Sequence, residues 1–453
     1  MMKTKIALLL LSLTFLISCT KQYEEAIFFD FVHVLSMEDD TILMNQSVLI
    51  GDGNIVRIGN RGNFRAPSNA VIVFDELYMM PGLGEMHAHI PPESQGVERM
   101  LDALTLYLSQ GITTIRGMLG QPAHLELREK AAIGEIFSPR ILTSGPSFNA
   151  NSVSDPEQAR QMVRDQFEAG YDLLKFHPGL TLEQFEAITD EANCLGIEFS
   201  GHISLEVGLV NSLNAGKGSI DHLDRYLEFL ADTGPDRVDP PIIFFGYDLT
   251  DKVDLTLIDE AVRLTKEAGV WNVPTNTLLE NIFNPNLTTD EMKQWPGMEF
   301  IPGSTIVLWS NFVNNLRNSE DYDPEKALRF LALRSQLTYA LHRGGAGLLL
   351  GADAPQIFNP PGFSIHRELE LLVEAGLTPF EALKTGTVNV AEYLGESKRS
   401  GKVKRGFKAD LVLLDSNPLE SIPFHNEIAG VVRDGKWHDR EDLERRLEEI
   451  RNR

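Results

Sequence analysis

The sequence predicts an α/β chain in which a (β/α)8 TIM barrel is inserted in a small split β-sandwich domain. Three observations predict it. Between residues 80 and 394, apolar strand-like runs alternate with stretches of helical spacing, the order a parallel barrel requires. Residues 26–79 and 395–436 flank that region with short strands. Finally, histidines, one lysine and one aspartate recur where the barrel strands end, the face on which such barrels carry their active sites.

Composition sets the outer bounds. Of 453 residues, 43% are hydrophobic and 23% charged, an ordinary globular balance at a length suited to a barrel plus an accessory domain. The formal charge of −24 argues against nucleic acid as a partner, since phosphate binding needs clustered Lys and Arg. A small-molecule substrate is expected instead.

Residues 1–19 read as a signal peptide. Lys3 and Lys5 precede an almost wholly apolar run over 6–17, which is short for a membrane span. The run closes in Leu16-Ile17-Ser18-Cys19, which resembles the lipobox of bacterial lipoproteins. That resemblance implies cleavage before Cys19 and acylation of Cys19, hence a lipid anchor to a membrane of the bacterial cell envelope, on its periplasmic or outer-membrane face. Each buried methylene of such an anchor contributes about 0.8 kcal/mol. The bland alternative is an ordinary secretory signal. If Cys19 is lipidated, Cys194, the other of two cysteines, has no disulfide partner; it lies in a helical pattern and reads as an idle thiol.

Next come strands over 26–34, 46–51, 54–59 and 71–77, with Gly51-Asp52-Gly53 as a tight turn. Barrel strands are expected over 82–89, 111–118, 140–145, 171–176, 198–202, 219–222, 270–274 and 347–353. Helices are expected over 96–109, 155–169, 181–195, 205–215, 256–268 and 325–343. The long connection 275–346 holds Phe283, Trp295, Phe300, Trp309 and Phe312, so it reads as ordered helices over the barrel mouth. Thr378-Pro379 fits a helix N-cap followed by Pro at the first helical position. Strands return over 407–415 and 428–434, and residues 437–453 read as a charged, solvated C-terminal helix.

The strand ends carry the chemistry. His87 and His89 share a face of an extended chain because side chains alternate. Strand four ends in Lys175, strand five in His202, strand six in His222 and strand eight in Asp353. Any one of these alone is ordinarily structural. Six metal-competent groups on one barrel face would be electrostatically costly without a cation. Tyr226, Arg225 and His177 follow these strand ends and are candidates for substrate binding, with simple loop solvation the alternative. His366 reads as structural, and His33, His124, His342, His425 and His438 have no ligand context.

With these residues in place the chain resembles the amidohydrolase superfamily, and within it the imidazolonepropionase-like and prolidase-like branch. The resemblance rests on Pro81-Gly82-Leu83 before His87-Ala88-His89 and on Gly351-Ala352-Asp353-Ala354-Pro355. It extends through Gly362-Phe363-Ser364-Ile365-His366-Arg367-Glu368-Leu369, Thr385-Gly386-Thr387-Val388-Asn389 and Gly401-Lys402-Val403, to Gly406-Phe407-Lys408-Ala409-Asp410-Leu411-Val412. It implies a binuclear site of two divalent metal ions, zinc by default. His87, His89 and Asp353 would hold one ion and His202 and His222 the other. Lys175 would bridge both as N6-carboxylysine, because an ammonium cannot ligate a metal.

The implied activity is hydrolysis of an amide or peptide-like C–N bond by a hydroxide bridging the metals, with Asp353 as proton acceptor and donor. Where dipeptidase relatives often carry Gly-Gly-His after strand three, this chain has Thr143-Ser144-Gly145-Pro146-Ser147-Phe148-Asn149-Ala150-Asn151. The expected bond is therefore a C–N bond outside peptides, with a dipeptide bond the other reading. Alternatives are a mononuclear deaminase or cyclic-amide hydrolase, which would not need Lys175, a lactone or phosphoester hydrolase on the same site, and a non-catalytic ligand-binding lipoprotein.

Overall fold

The computed structural model describes residues 23–231, 245–420 and 422–453. The expected signal peptide and Cys19 lie outside them. Among the described residues, no helix is long and apolar enough to cross a membrane.

Before the barrel come β1 (Ala26–Leu35), β2 (Ile42–Gly51), β3 (Asn54–Asn60), β4 (Val71–Val73) and β5 (Leu77–Pro81). The barrel contributes β6 (Leu83–Ala88), β7 (Ile112–Gly117), β8 (Arg140–Thr143), β9 (Leu173–Phe176), β10 (Glu198–Gly201), β11 (Ser219–Asp221) and β12 (Trp271–Val273). After it come β13 (Leu411–Leu414), β14 (Ile428–Arg433) and β15 (Lys436–Asp439).

The outer strands form one sheet in the order β15-β14-β13-β5-β1-β2-β3, with β4 also on β1. Leu411 pairs with Pro81, so the returning chain zips onto the strand that leads into the barrel. The stretch expected as one strand over 71–77 is instead two. β4 pairs with residues 27–29 of β1 and β5 with residues 32–34. A register shift between Phe29 and Val32 keeps Ile27, Phe29, Val32 and Val34 in one apolar core with Leu413 and Val432.

The C-terminal boundary also differs from expectation. Residues 436–439 extend the sheet, with Trp437 opposite Val432 and packed edge-on against Phe29 at 5.3 Å. The helix is Arg440–Arg451, capped by Asp439, whose side chain accepts from the Asp442 backbone N–H. It is not simply solvated: Leu443 and Ile450 are buried, and Arg453 reaches Asp102 at 2.7 Å.

In the barrel, β6-β7-β8 and β12-β11-β10-β9 are parallel runs. Bridges from Ser144 to Leu173 and from Phe148 to Phe176 join them on one side. The eighth strand expected over 347–353 is not regular. Leu348 bridges Asn272 and Ala354 bridges Ala88, while Asp353 turns through a left-handed backbone, φ 63°. That turn interrupts the ladder where the catalytic face begins. Helices Asn276–Phe283, Gly303–Arg317 and Pro324–Gly344 fill the connection after β12. A helix at Pro122–Ala132 went unanticipated, because its charges interrupt an apolar face: only His124, Leu127 and Ala131 are buried.

Candidate metal centre

The ends of β6, β9, β10 and β11, with the segment after Leu350, converge on one cluster. His87 and His89 follow each other across the end of β6. His89 Nε2 lies 2.7 Å from Asp353 Oδ1, and His87 Nε2 lies 3.4 Å from the same oxygen. One donor atom from each of these three residues falls within 4.8 Å of the others. The His222 ring stands 4.6 Å from that of His87 and 4.5 Å from that of His202. His222 Nε2 is 3.9 Å from the second Asp353 oxygen. His87, Lys175 and His222 are buried, whereas His89 and His202 are partly exposed and mark the open side.

The donor set fits a divalent cation. Burial lowers the His87 imidazole to about 4, with the Lys175 charge adding to it, and burial lowers His222 as well. Both rings are therefore neutral near pH 7, the form that ligates metal. Burial pushes the Asp353 carboxyl up, but His87, His89 and His222 outweigh it and hold it below the usual range. Asp353 is an anion among imidazoles. The Lys175 Nζ is fully buried, and burial lowers its pKa against the pull of Asp221 and Asp353. As an ammonium it offers no lone pair to a metal ion.

Backbone geometry delivers these groups. His222, Thr275 and Asp353 all adopt left-handed φ, 61°, 49° and 63°, a conformation costing about 1–3 kcal/mol per non-glycine residue. Surrounding bonds hold it. Arg334 donates to the carbonyls of His222 and Pro274 at 2.8 and 2.9 Å. Gly201, φ 111°, lets the Lys175 side chain pass: a Cβ there would sit 2.8 Å from Lys175 Cδ and 2.6 Å from the Phe176 carbonyl.

A surrounding set of residues escaped the sequence reading. Asp221 Oδ2 lies 3.0 Å from His87 Nδ1 and 3.3 Å from Lys175 Nζ, and Oδ1 lies 3.4 Å from Arg116 and accepts from Ser219. His202 Nδ1 is 2.8 Å from Asp224, and His222 Nδ1 is 2.7 Å from the Thr275 hydroxyl. Such partners fix the ring orientation of metal-binding histidines. Asp221 and Asp224 flank His222 in Asp221-His222-Leu223-Asp224, and that local acid density was the available signal.

Two expected substrate contacts move into the wall. Tyr226 is fully buried, its hydroxyl bonded to Thr265 and Asn272 at 2.8 and 2.9 Å. Arg225 is 9% exposed and is held by the Ile203 carbonyl and Glu228, both at 2.8 Å. Among the described residues the Tyr226 hydroxyl is thus satisfied inside the wall, and the chain between it and His222 runs through left-handed φ at His222, Leu223 and Arg225. His177 does reach the cluster: its ring stacks on His202 at 5.1 Å. His366 is buried against Phe424.

The sequence model of the amidohydrolase family matches residues 78–438. The ochratoxinase of Aspergillus niger is 20% identical over 464 aligned positions, covering 87% of this chain and 82% of that protein. Among solved structures, a bottromycin amidohydrolase is similar with a TM-score of 0.72 and 21% identity, covering 94% of this chain and 90% of its own. A putative prolidase from Bifidobacterium longum is similar with a TM-score of 0.68 and 23% identity, covering 95% of this chain and all of its own.

Proposed function

The chain belongs to the amidohydrolase family, and from that membership we propose that it hydrolyses an amide or peptide-like C–N bond of a small molecule. The observation that carries this reading is the convergence of His87, His89 and Asp353 at the open face of the barrel, with His202, His222 and Lys175 beside them. His87, His89 and Asp353 would hold one divalent ion, His202 and His222 a second, with zinc the default for imidazole and carboxylate donors. Ions bound there supply Lewis acidity to the carbonyl and lower the pKa of the attacking water.

The protein's own groups do the rest. Asp353, an anion at the mouth, accepts the proton of the attacking water and returns it to the leaving nitrogen. Asp224 and Thr275 hold the His202 and His222 rings in register. Burial disfavours the Lys175 ammonium. Addition of the neutral amine to carbon dioxide, forming an N–C bond as one C=O π bond opens and a proton leaves the nitrogen, would give a carbamate able to ligate the metal ions. A mononuclear deaminase would have no use for that buried lysine, which favours the binuclear hydrolase.

The 145–152 loop supports a substrate outside the dipeptides. It carries no histidine, and its polar groups bond one another: the Ser152 hydroxyl donates to the Ser147 carbonyl, and Asn149 Nδ2 donates to the Ser147 hydroxyl. A hydrolysis screen of metal-loaded protein against N-acyl amino acids, dipeptides and lactones tests this. N-acyl amino acids are expected to turn over fastest. Dipeptides turning over faster would reverse the substrate reading, and no amide cleavage at all would remove the activity. A lipid anchor at Cys19 is proposed on the lipobox resemblance. Cys19→Ser should move the protein from the membrane to the soluble fraction, and retention at the membrane would refute it.

A further inference from the structure

Beside His89 the barrel mouth opens into a cavity of about 280 Å³. Its apolar walls come from separate parts of the chain: Leu106 on helix Val97–Ser109, Phe300 and Trp309 from the connection after β12, and Pro355, two residues beyond Asp353. The rings are held in place. Trp309 packs on Phe358 at 5.7 Å. The Arg451 guanidinium lies 5.3 Å over Phe300, and Arg451 also pairs with Glu299 at 3.4 Å. The C-terminal helix thus braces the turn that carries Phe300.

The charged lining residues are Arg99 and Asp102. Asp102 is nearly buried, and Arg453 answers its charge at 2.7 Å. Arg99 stands 3.8 Å from the other Asp102 oxygen with its side chain one-third exposed, and it makes no hydrogen bond among the described residues. A cavity walled mainly by apolar and aromatic side chains, with Gln95, Gln121 and Gln356 also on its lining and a guanidinium held only by a long ion pair, selects by two features at once.

We infer that this cavity is the specificity pocket, and that it selects amides carrying an aromatic ring and a carboxylate, with the ring against Trp309 and Phe300 and the carboxylate at Arg99. The inference rests on the hydrolase reading for its placement beside the scissile bond. Binding alone can test it.

The probes contain no amide: 3-phenylpropanoate, 3-phenylpropan-1-ol and propanoate, each titrated calorimetrically into the metal-loaded protein. Burying the phenyl group should make 3-phenylpropanoate bind roughly tenfold or more tighter than propanoate. The carboxylate should favour the acid over the alcohol by roughly fivefold. Arg99→Gln, a change at a partly exposed side chain, should erase the acid-over-alcohol preference and leave the alcohol's affinity in place. Equal binding of propanoate and 3-phenylpropanoate would overturn the pocket. So would an acid preference unchanged in Arg99→Gln, which would put the carboxylate on the metals instead. Because no bond is broken, selective binding beside a failed hydrolysis screen would reject the hydrolase and keep the pocket. Hydrolysis with unselective binding would do the reverse.

Discussion

Asp353→Asn lowers turnover by about 10²–10⁴-fold, the range expected for losing a positioned proton acceptor. The amide keeps the shape of the carboxyl group but takes no proton from water. It also removes the anion that sits 2.7 Å from His89 and 3.4 Å from His87, so metal affinity should fall with activity. The fold should survive, since the backbone bond from the Asp353 N–H to the His87 carbonyl, at 3.0 Å, does not involve the side chain. Steady-state kinetics with near-UV circular dichroism separates the effects. Near-normal turnover in a folded variant would take Asp353 out of its role.

Lys175→Ala is expected to lose activity to a similar extent, with partial rescue by a short carboxylic acid such as propanoate. The rescue is the informative arm. A small acid entering the space vacated beside Gly201 would replace the carbamate's oxygens, whereas a lysine acting only as a charge partner of Asp221 would not be replaced by an anion. A Lys175→Ala protein that stays fully active would leave the His87–His89–Asp353 cluster standing and remove the bridge. One that is inactive with every acid tried would make Lys175 structural.

The parts of this site legible in the sequence are those governed by strand alternation. His87 and His89 are two residues apart, so extended geometry puts them on one face without tertiary information. Lys175 closes an apolar run, His202 and His222 each close a short strand-like stretch, and a strand end is where a barrel places function. What stayed hidden depends on departures from that rule. Asp221 and His222 are neighbours and should face opposite ways, yet both serve the cluster because His222 adopts a left-handed backbone. Asp353 does the same and breaks the eighth strand, which is why a run of apolar residues ending in Gly351-Ala352-Asp353 looks more regular in sequence than in space.

Tyr226 shows the converse. Its nearness to His222 in sequence suggested a substrate contact, but the turn sends its hydroxyl to Thr265 and Asn272 in the wall. Arg116 and Arg334 were invisible for another reason. Both are buried cations whose partners, Asp221 and the carbonyls of His222 and Pro274, lie about a hundred or dozens of residues away in sequence. The outer sheet was readable strand by strand, but its extension by β15 depends on Trp437 finding Phe29, a contact no local pattern announces.

The proposed binuclear centre draws six side chains from five strand ends. The most direct measurement is metal content per chain by inductively coupled plasma mass spectrometry, on protein purified without chelators in the presence of bicarbonate. Two divalent ions per wild-type chain are expected, with a clear loss in Lys175→Ala. A single ion per wild-type chain, unchanged in Lys175→Ala, would contradict the binuclear centre.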